Sequence, residues 1–414
     1  MTIDLDYARS QFPALASGWA FFDNAGGSQV LRPVAERVAD YMLTSSVQTG
    51  ASYEPSRLAS ARLAEARARM AMFIGAARPE EVVFGHSTTV MVRLLAAAMR
   101  SQFSPGDEVI LTDFDHESNI GPWLTLEDRG VVFKTWTIDT GTLEPDLDAL
   151  DRLMTPRTKL VCVTHASNII GTINPIREIA DRVHARGAKL CVDGVAYAPH
   201  RALDMQALDV DFYVFSLYKT YGPHMGLLYG KYDALLALDG LYHYFYGREK
   251  VPAKLEPGNP NYELAWGSAA IVDYFERLGG GTGRQAIQAA FEAVAAHEAE
   301  LGERLLAWLR ARNGVRIIGP RDADAAKRVP TISFSVDGDD PEAIVRRIDD
   351  ARIGVRHGDF HSRRLIEKLG LAPGGAIRVS MVHYNTLDEV DRLIAALDEA
   401  LAGALGGARG GAMR

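Results

Sequence analysis

Five short apolar runs of this chain each stop at a polar or charged residue. Glu81–Phe84 gives way to Gly85–Thr89, Asp107–Thr112 to Asp113–Asn119, and Leu160–Thr164 to His165–Asn168. Ala188–Val192 ends at Asp193, and Phe212–Phe215 runs into Ser216 and Lys219. Runs so short and so apolar read as strands buried on both faces. Helical patterns lie between them, among them the amphipathic Pro175–Arg186. The chain is therefore expected to build an α/β fold around an open sheet. Such sheets bind ligands beyond the carboxyl ends of their strands. Thr88, Thr89, His116, Asn168, Asp193 and Lys219 all fall there, and independent turn residues have no reason to converge in this way.

Each of these positions has two readings on its own. Lys219 stands in Asp211–Gly230, between the apolar runs Phe212–Phe215 and Met225–Tyr229. It is either a surface lysine on a hairpin loop or a desolvated amine with a lowered pKa, which is what Schiff-base chemistry needs. Asp193 is either a turn or cap residue, or a buried carboxylate awaiting a cationic partner. Gly85–Thr89 opens an apolar helix. It is either ordinary hydroxyl capping or an anion site of free N–H groups aided by the helix dipole.

Composition narrows the function classes. A chain of 414 residues should hold roughly two or three domains, and 47% hydrophobic residues suffice for a large core. The formal charge of −8 argues against a nucleic-acid partner. No apolar stretch approaches the ~20 residues of a membrane span. The opening MTIDLDYARS has acids before its first arginine and no apolar core, unlike a secretory signal, so a cytoplasmic location is expected. Cys162 and Cys191 lie in apolar runs and read as buried free thiols, and neither has a second ligand at metal spacing, so no metal is expected. Leu264–Leu278 and Gln285–Arg312 read as helices. The segment 315–401 alternates strand and helix as a small α+β unit, and 402–414 is Gly/Ala-rich and expected to be flexible.

Asp193, then a strand, then Ser216-x-x-Lys219 resembles the core of the aspartate-aminotransferase-like superfamily. Within it the chain resembles class V, in the cysteine desulfurase-like and selenocysteine lyase-like branch, from Phe22 to Leu401. The resemblance implies a fold type I enzyme that uses pyridoxal 5'-phosphate. It implies a large domain over 16–265 with a mostly parallel seven-stranded sheet, and a small domain formed by 1–15 and 266–401. It further implies an amino-acid substrate and a homodimer with shared sites. Lys219 matches the residue that bonds the cofactor, Asp193 the partner of its ring nitrogen, and His116 the imidazole stacked on its ring. Thr88, Thr89 and Ser216 match phosphate contacts, and Asn168 matches the asparagine near the ring hydroxyl. Asn259, in Glu-Pro-Gly-Asn-Pro-Asn, takes the place of a threonine that reaches the other subunit's phosphate. Asn24 and Ala25 lie in the turn that lines the substrate side. Arg378 matches the arginine for the substrate carboxylate, and Arg356, His357 and His361 either contact substrate as well or belong to a solvated loop.

Three departures matter. The family's histidine before the lysine is Tyr218, which is expected to stay beside the cofactor. A glutamine three residues after the aspartate is Ala196. The mobile-loop cysteine of desulfurases is missing from Gly354–Phe360. The expected reaction is therefore β-elimination, a C–S or C–Se cleavage without a protein persulfide. Epimerisation or racemisation, and transamination, are alternatives within the same chemistry. A cofactor-binding protein with little turnover is an alternative of another class.

Overall fold

The computed structural model describes residues 2–407. Its apolar runs find their partners in one another. They are β1 (Val82–Gly85), β2 (Glu108–Thr112), β3 (Val132–Trp136), β4 (Thr158–Thr164), β5 (Lys189–Asp193), β6 (Phe212–Ser216) and β7 (Gly226–Gly230). They form a seven-stranded sheet in the order β1-β7-β6-β5-β4-β2-β3. β7 lies antiparallel to both its neighbours, and every other pairing is parallel. All residues of β2, β6 and β7 are buried, whereas edge strand β3 shows solvent much of its length. This is the mostly parallel α/β sheet expected of a fold type I enzyme.

The chain moves outward from β2 to β3 and then returns past β2 to lay down β4, β5 and β6. The loops after β2 and β4 therefore leave in opposite directions, and the crevice between them is where ligands of such sheets bind. Helices cover the faces by the usual spacing rule. Ile176–His184 buries Ile176, Ile179, Ala180 and Val183, at i, i+3, i+4 and i+7.

Helices α1 (Arg32–Thr44), α2 (Glu54–Ile74), α3 (Thr88–Met99), α4 (Tyr262–Leu278) and α5 (Gly283–Arg310) follow the sequence patterns closely. α4 packs on α1 and α2. The expected boundary at 265 thus falls inside a helix that sits with the first part of the chain. After α5 comes a second, antiparallel sheet of β8 (Val315–Ile318), β9 (Thr331–Val336), β10 (Arg356–Gly358) and β11 (Ala376–Ser380), in the order β10-β11-β9-β8.

The N-terminal stretch touches both parts. Ala20–Phe21 pairs in parallel with Ile353–Gly354, while Ala8 and Phe12 join the main core and Tyr7 stacks on Tyr274. The last helix, α6 (Leu387–Gly407), runs past residue 402. The tail expected to be flexible from 402 therefore begins in a helix, and 408–414 lie outside the described residues.

Cys162 and Cys191 are buried free thiols facing one another across β4 and β5. Among the described residues no helix is long and apolar enough to cross a membrane, and no His, Cys, Asp and Glu cluster fits a metal ion.

Candidate active site

The crevice at the carboxyl edge of the sheet gathers most of the expected residues. Its floor begins at the start of α3, where Ser87 caps the helix by accepting a hydrogen bond from the Val90 N–H at 3.3 Å. The N–H groups of Thr88 and Thr89 belong to the first turn, which has no intrahelical partners. The Thr88 hydroxyl meets the Ser216 hydroxyl at 2.7 Å, joining this turn to the end of β6. Gly226 of β7 makes the approach possible, since a Cβ there would lie 2.6 Å from the Ser87 carbonyl carbon and 2.9 Å from the Thr88 nitrogen. Free N–H groups, hydroxyls and a helix dipole make an anion cradle.

Asp193 ends β5 and is only 3% exposed. Its Oδ1 accepts the Val195 N–H at 2.9 Å. Burial raises its pKa to about 6, outweighing that hydrogen bond and the nearby Lys219 charge. Lys219 closes the short turn after β6, and its amine is crowded by protein. Burial first, and the Arg378 charge second, lower its pKa to about 8, while Asp193 and Asp23 pull the other way. The sequence expectation of a softened amine holds, for the reason given.

His116 follows β2. Its Nδ1 accepts the Ser118 N–H at 3.1 Å, with the Ser118 hydroxyl at 2.8 Å. Nδ1 is therefore unprotonated and Nε2 carries the proton. Burial, then the Lys219 charge, lower the His116 pKa to about 3, so the ring is neutral. Tyr218 lines the same floor, stacked on His224 with centroids 4.4 Å apart. Ala196 lines it as well, in place of a longer side chain.

Toward the mouth the crevice widens to about 500 Å³, bounded by Ala25, Arg356, Phe360, His361 and Arg378. Arg378 sits mid-strand in β11 and is buried. Its Nη2 donates to Asp23 Oδ1 at 2.8 Å, its Nη1 to the Asn168 carbonyl at 3.3 Å, and its guanidinium lies 3.9 Å from the Phe360 ring centroid. Among the described residues its Nε is buried with no hydrogen-bond partner. Asn168 reaches the mouth too. Its Nδ2 donates to the Phe360 carbonyl at 3.1 Å, and its Oδ1 accepts the Ser362 hydroxyl at 3.0 Å.

Three expected residues stand elsewhere. The Asn24 carboxamide is committed internally, donating to the carbonyls of Phe21 and Ser380 and accepting from the Tyr384 hydroxyl. It faces away from the crevice, and its neighbour Asp23 faces the arginines instead. His357 pairs with buried Ile377, and because strand side chains alternate, it points opposite to Arg356 and Arg378. Asn259 is exposed, with φ +68°, in a groove beside Gly85, His86 and Val90 rather than in this crevice.

The sequence reading passed over Asp23 and Asp115. Asp115, beneath His116, accepts the Asn119 amide at 2.7 Å and the Thr164 N–H at 3.0 Å, and burial raises its pKa to about 7. Its signal was only a charge beside a strand end.

These donors suit pyridoxal phosphate. There is a cradle for a phosphate, a buried carboxylate that among the described residues accepts no side-chain donor and so suits a ring nitrogen, and a softened amine for the aldehyde.

Comparison with known proteins agrees. The family model "Aminotransferase class-V" matches residues 20–393. The aminotransferase-like protein FGM3 of Gibberella zeae is 44% identical over 97% of this chain and 99% of its own length. A cysteine desulfurase of Dickeya dadantii is 34% identical over 95% of this chain and 96% of its own. The apo structure of a cysteine desulfurase from Thermococcus onnurineus NA1 superposes with a TM-score of 0.87 at 28% identity, covering 97% of this chain and 99% of that one.

Proposed function

The chain belongs to the class-V aminotransferase family and is a pyridoxal-phosphate-dependent enzyme acting on an amino acid, and from that premise we propose that it catalyses β-elimination. In this reading it cleaves the C–S or C–Se bond of a cysteine-like substrate and leaves no persulfide on the protein. One observation supports this above others. The two cysteines of the chain are buried in β4 and β5, and none lies in 354–360 at the crevice mouth.

Bound pyridoxal phosphate supplies a ring that withdraws the electrons released at the substrate α-carbon. The protein's own groups do the rest. Thr88, Thr89 and Ser216 would hold the phosphate, and Asp193 would keep the ring nitrogen protonated. Lys219 would anchor the group through its amine and, once released, would be the base that takes the α-proton. Its pKa of about 8 leaves part of the amine neutral near neutral pH. His116 would stack on the ring, with its Nε2–H left to donate. Asn168 would stand near the ring hydroxyl, and Tyr218 would take the place of a histidine beside the ring. Arg378 holds the substrate carboxylate, displacing or sharing Asp23, and Arg356 stands next to it as a second cation.

We read the protein as a homodimer in which Asn259 of one protomer reaches the phosphate of its partner. Its exposure and its place in a groove outside its own crevice support this. Tyr244, 99% exposed, and Phe245 lie on the same stretch of chain and favour a covered surface.

The test is product analysis of the cofactor-loaded enzyme with L-cysteine. Pyruvate plus sulfide in equal amounts, with no persulfide trapped on the protein by an alkylating probe, is the expected result. Inverted cysteine would show an epimerase or racemase, an oxo acid with pyridoxamine phosphate would show an aminotransferase, and spectral change without product would show a binding protein.

A further inference from the structure

One turn at the crevice mouth is built at some conformational cost. Phe360 and His361 are consecutive non-glycine residues at φ +50° and +58°. Left-handed backbone is unfavourable for such side chains, and it persists at functional sites only where the surroundings over-determine it. Here they do. The Phe360 carbonyl is held by Asn168 and its ring lies under Arg378. Ser362 is held by the Asn168 oxygen. The hydrogen bonds of residue 361 among the described residues run through its backbone, with its N–H on Asp359 Oδ1 at 3.0 Å and its carbonyl accepting the Glu117 N–H at 2.8 Å. This leaves the imidazole free at the rim, 5.3 Å from the His116 ring and in the wall of the same crevice as Lys219 and Arg378. The other charges around that rim are Arg93 and Arg356 in the crevice wall, the Asp359–Arg363 pair and the Glu117–Arg364 pair.

We propose that His361 is the catalytic residue that meets the substrate's side chain and donates a proton to the group leaving the β-carbon. This rests on the β-elimination reading. With the carboxylate on Arg378 and the α-proton facing Lys219, a side chain can extend only along the crevice toward its mouth. Lys219 takes the α-proton, and the electrons of that C–H bond end in the new Cα–Cβ double bond. The Cβ–S bond breaks with both its electrons on sulfur. His361 acts as the imidazolium: one of its N–H protons goes to that sulfur, so hydrogen sulfide leaves neutral from L-cysteine, and the neutral imidazole that remains takes a proton back from solvent.

The test compares leaving groups. The sulfide leaving from L-cysteine is a base that gains from a proton, whereas β-chloro-L-alanine expels chloride, which needs none. His361→Asn is the suitable variant, because asparagine tolerates left-handed backbone. General acid catalysis contributes roughly 10²-fold or more, so kcat for L-cysteine should fall by about that factor. The loss with β-chloro-L-alanine should be at least tenfold smaller. The visible absorption of the loaded cofactor, and its change when L-alanine binds, should match the wild type. Equal losses with both substrates, or no loss with cysteine, would overturn the role of His361 while leaving β-elimination standing. A wild-type enzyme that releases pyruvate from neither substrate would overturn both. The wild type alone gives an independent measure. Its rates across a series of β-substituents should depend weakly on leaving-group basicity, and a steep dependence would overturn the proposal without any variant.

Discussion

The floor and the mouth of the crevice are made in different ways. The floor hangs on consecutive strands of one sheet, and its groups are buried, so their chemistry is tuned by desolvation. Lys219 falls to about 8, Asp193 rises to about 6 and His116 falls to about 3, each with burial as the leading cause. The mouth joins segments far apart in the chain, namely Asp23, Arg356 to Ser362 and Arg378. It is held by ion pairs, a cation–π contact and left-handed backbone. On the proposed function the difference is a division of labour: a sheet edge sets the cofactor chemistry, and a separately assembled rim selects what enters.

That division predicts where substitutions will show. Lys219→Ala strikes the floor and should have the largest effect, a loss of roughly 10⁴-fold or more in turnover, with the cofactor's visible band altered before any substrate is added. An unaltered band would break the comparison. Arg378→Gln strikes the mouth and should cost about 10²-fold in kcat/KM, as expected when a charged hydrogen bond worth about 1.5–3 kcal/mol is removed, with the substrate-free cofactor still bound. It should also raise the Lys219 pKa above about 8, since Arg378 is the strongest charge lowering it. The pH dependence of cofactor capture by the apo protein reads this shift. A pKa that stays put or falls would mean the two regions do not communicate by charge.

Gly226→Ala pushes a methyl group into the start of α3. It should destabilise the protein by about 1–3 kcal/mol and weaken binding of pyridoxal phosphate, as read by fluorescence titration, with substrate preference unchanged. The smallest effect concerns Asp115. The folded protein holds its proton up to about pH 7, whereas an unfolded aspartic acid releases it near 3.9. Between about pH 4 and 7 the unfolded chain ionises while the folded carboxyl does not, so stability falls as pH rises through that window and is fully present below it. Asp115→Asn removes this slope, so the variant's Tm should gain on the wild type between pH 5 and 8. A constant difference across that range would mean that Asp115 is ionised throughout.

The same division governs what could be read in the sequence. Floor residues follow apolar runs, and the rule that ligands lie beyond strand ends brought Thr88, His116, Asn168, Asp193 and Lys219 together without reference to any contact. The mouth offered no such rule. Asn24 and Asp23 are adjacent, and only the pairing of Asp23 beside Ser380 decides which faces the arginines. Arg356 and His357 differ by one position on a three-residue strand, too short for its alternation to be read in advance. Left-handed φ at Phe360 and His361 has no signature without glycine or asparagine. Asp115 looked like one more acid in a loop, because its burial depends on the strands around it.

Asn168 belongs to both regions. Its carboxamide holds the Phe360–Ser362 turn through one N–H and its oxygen, and an amide nitrogen has a second N–H to give. Whatever claims that remaining hydrogen at the sheet edge is wired through a single planar group to the lip of the entrance. Occupancy below should thus be felt above as stiffness, and a vacant enzyme should present a looser doorway than a loaded one.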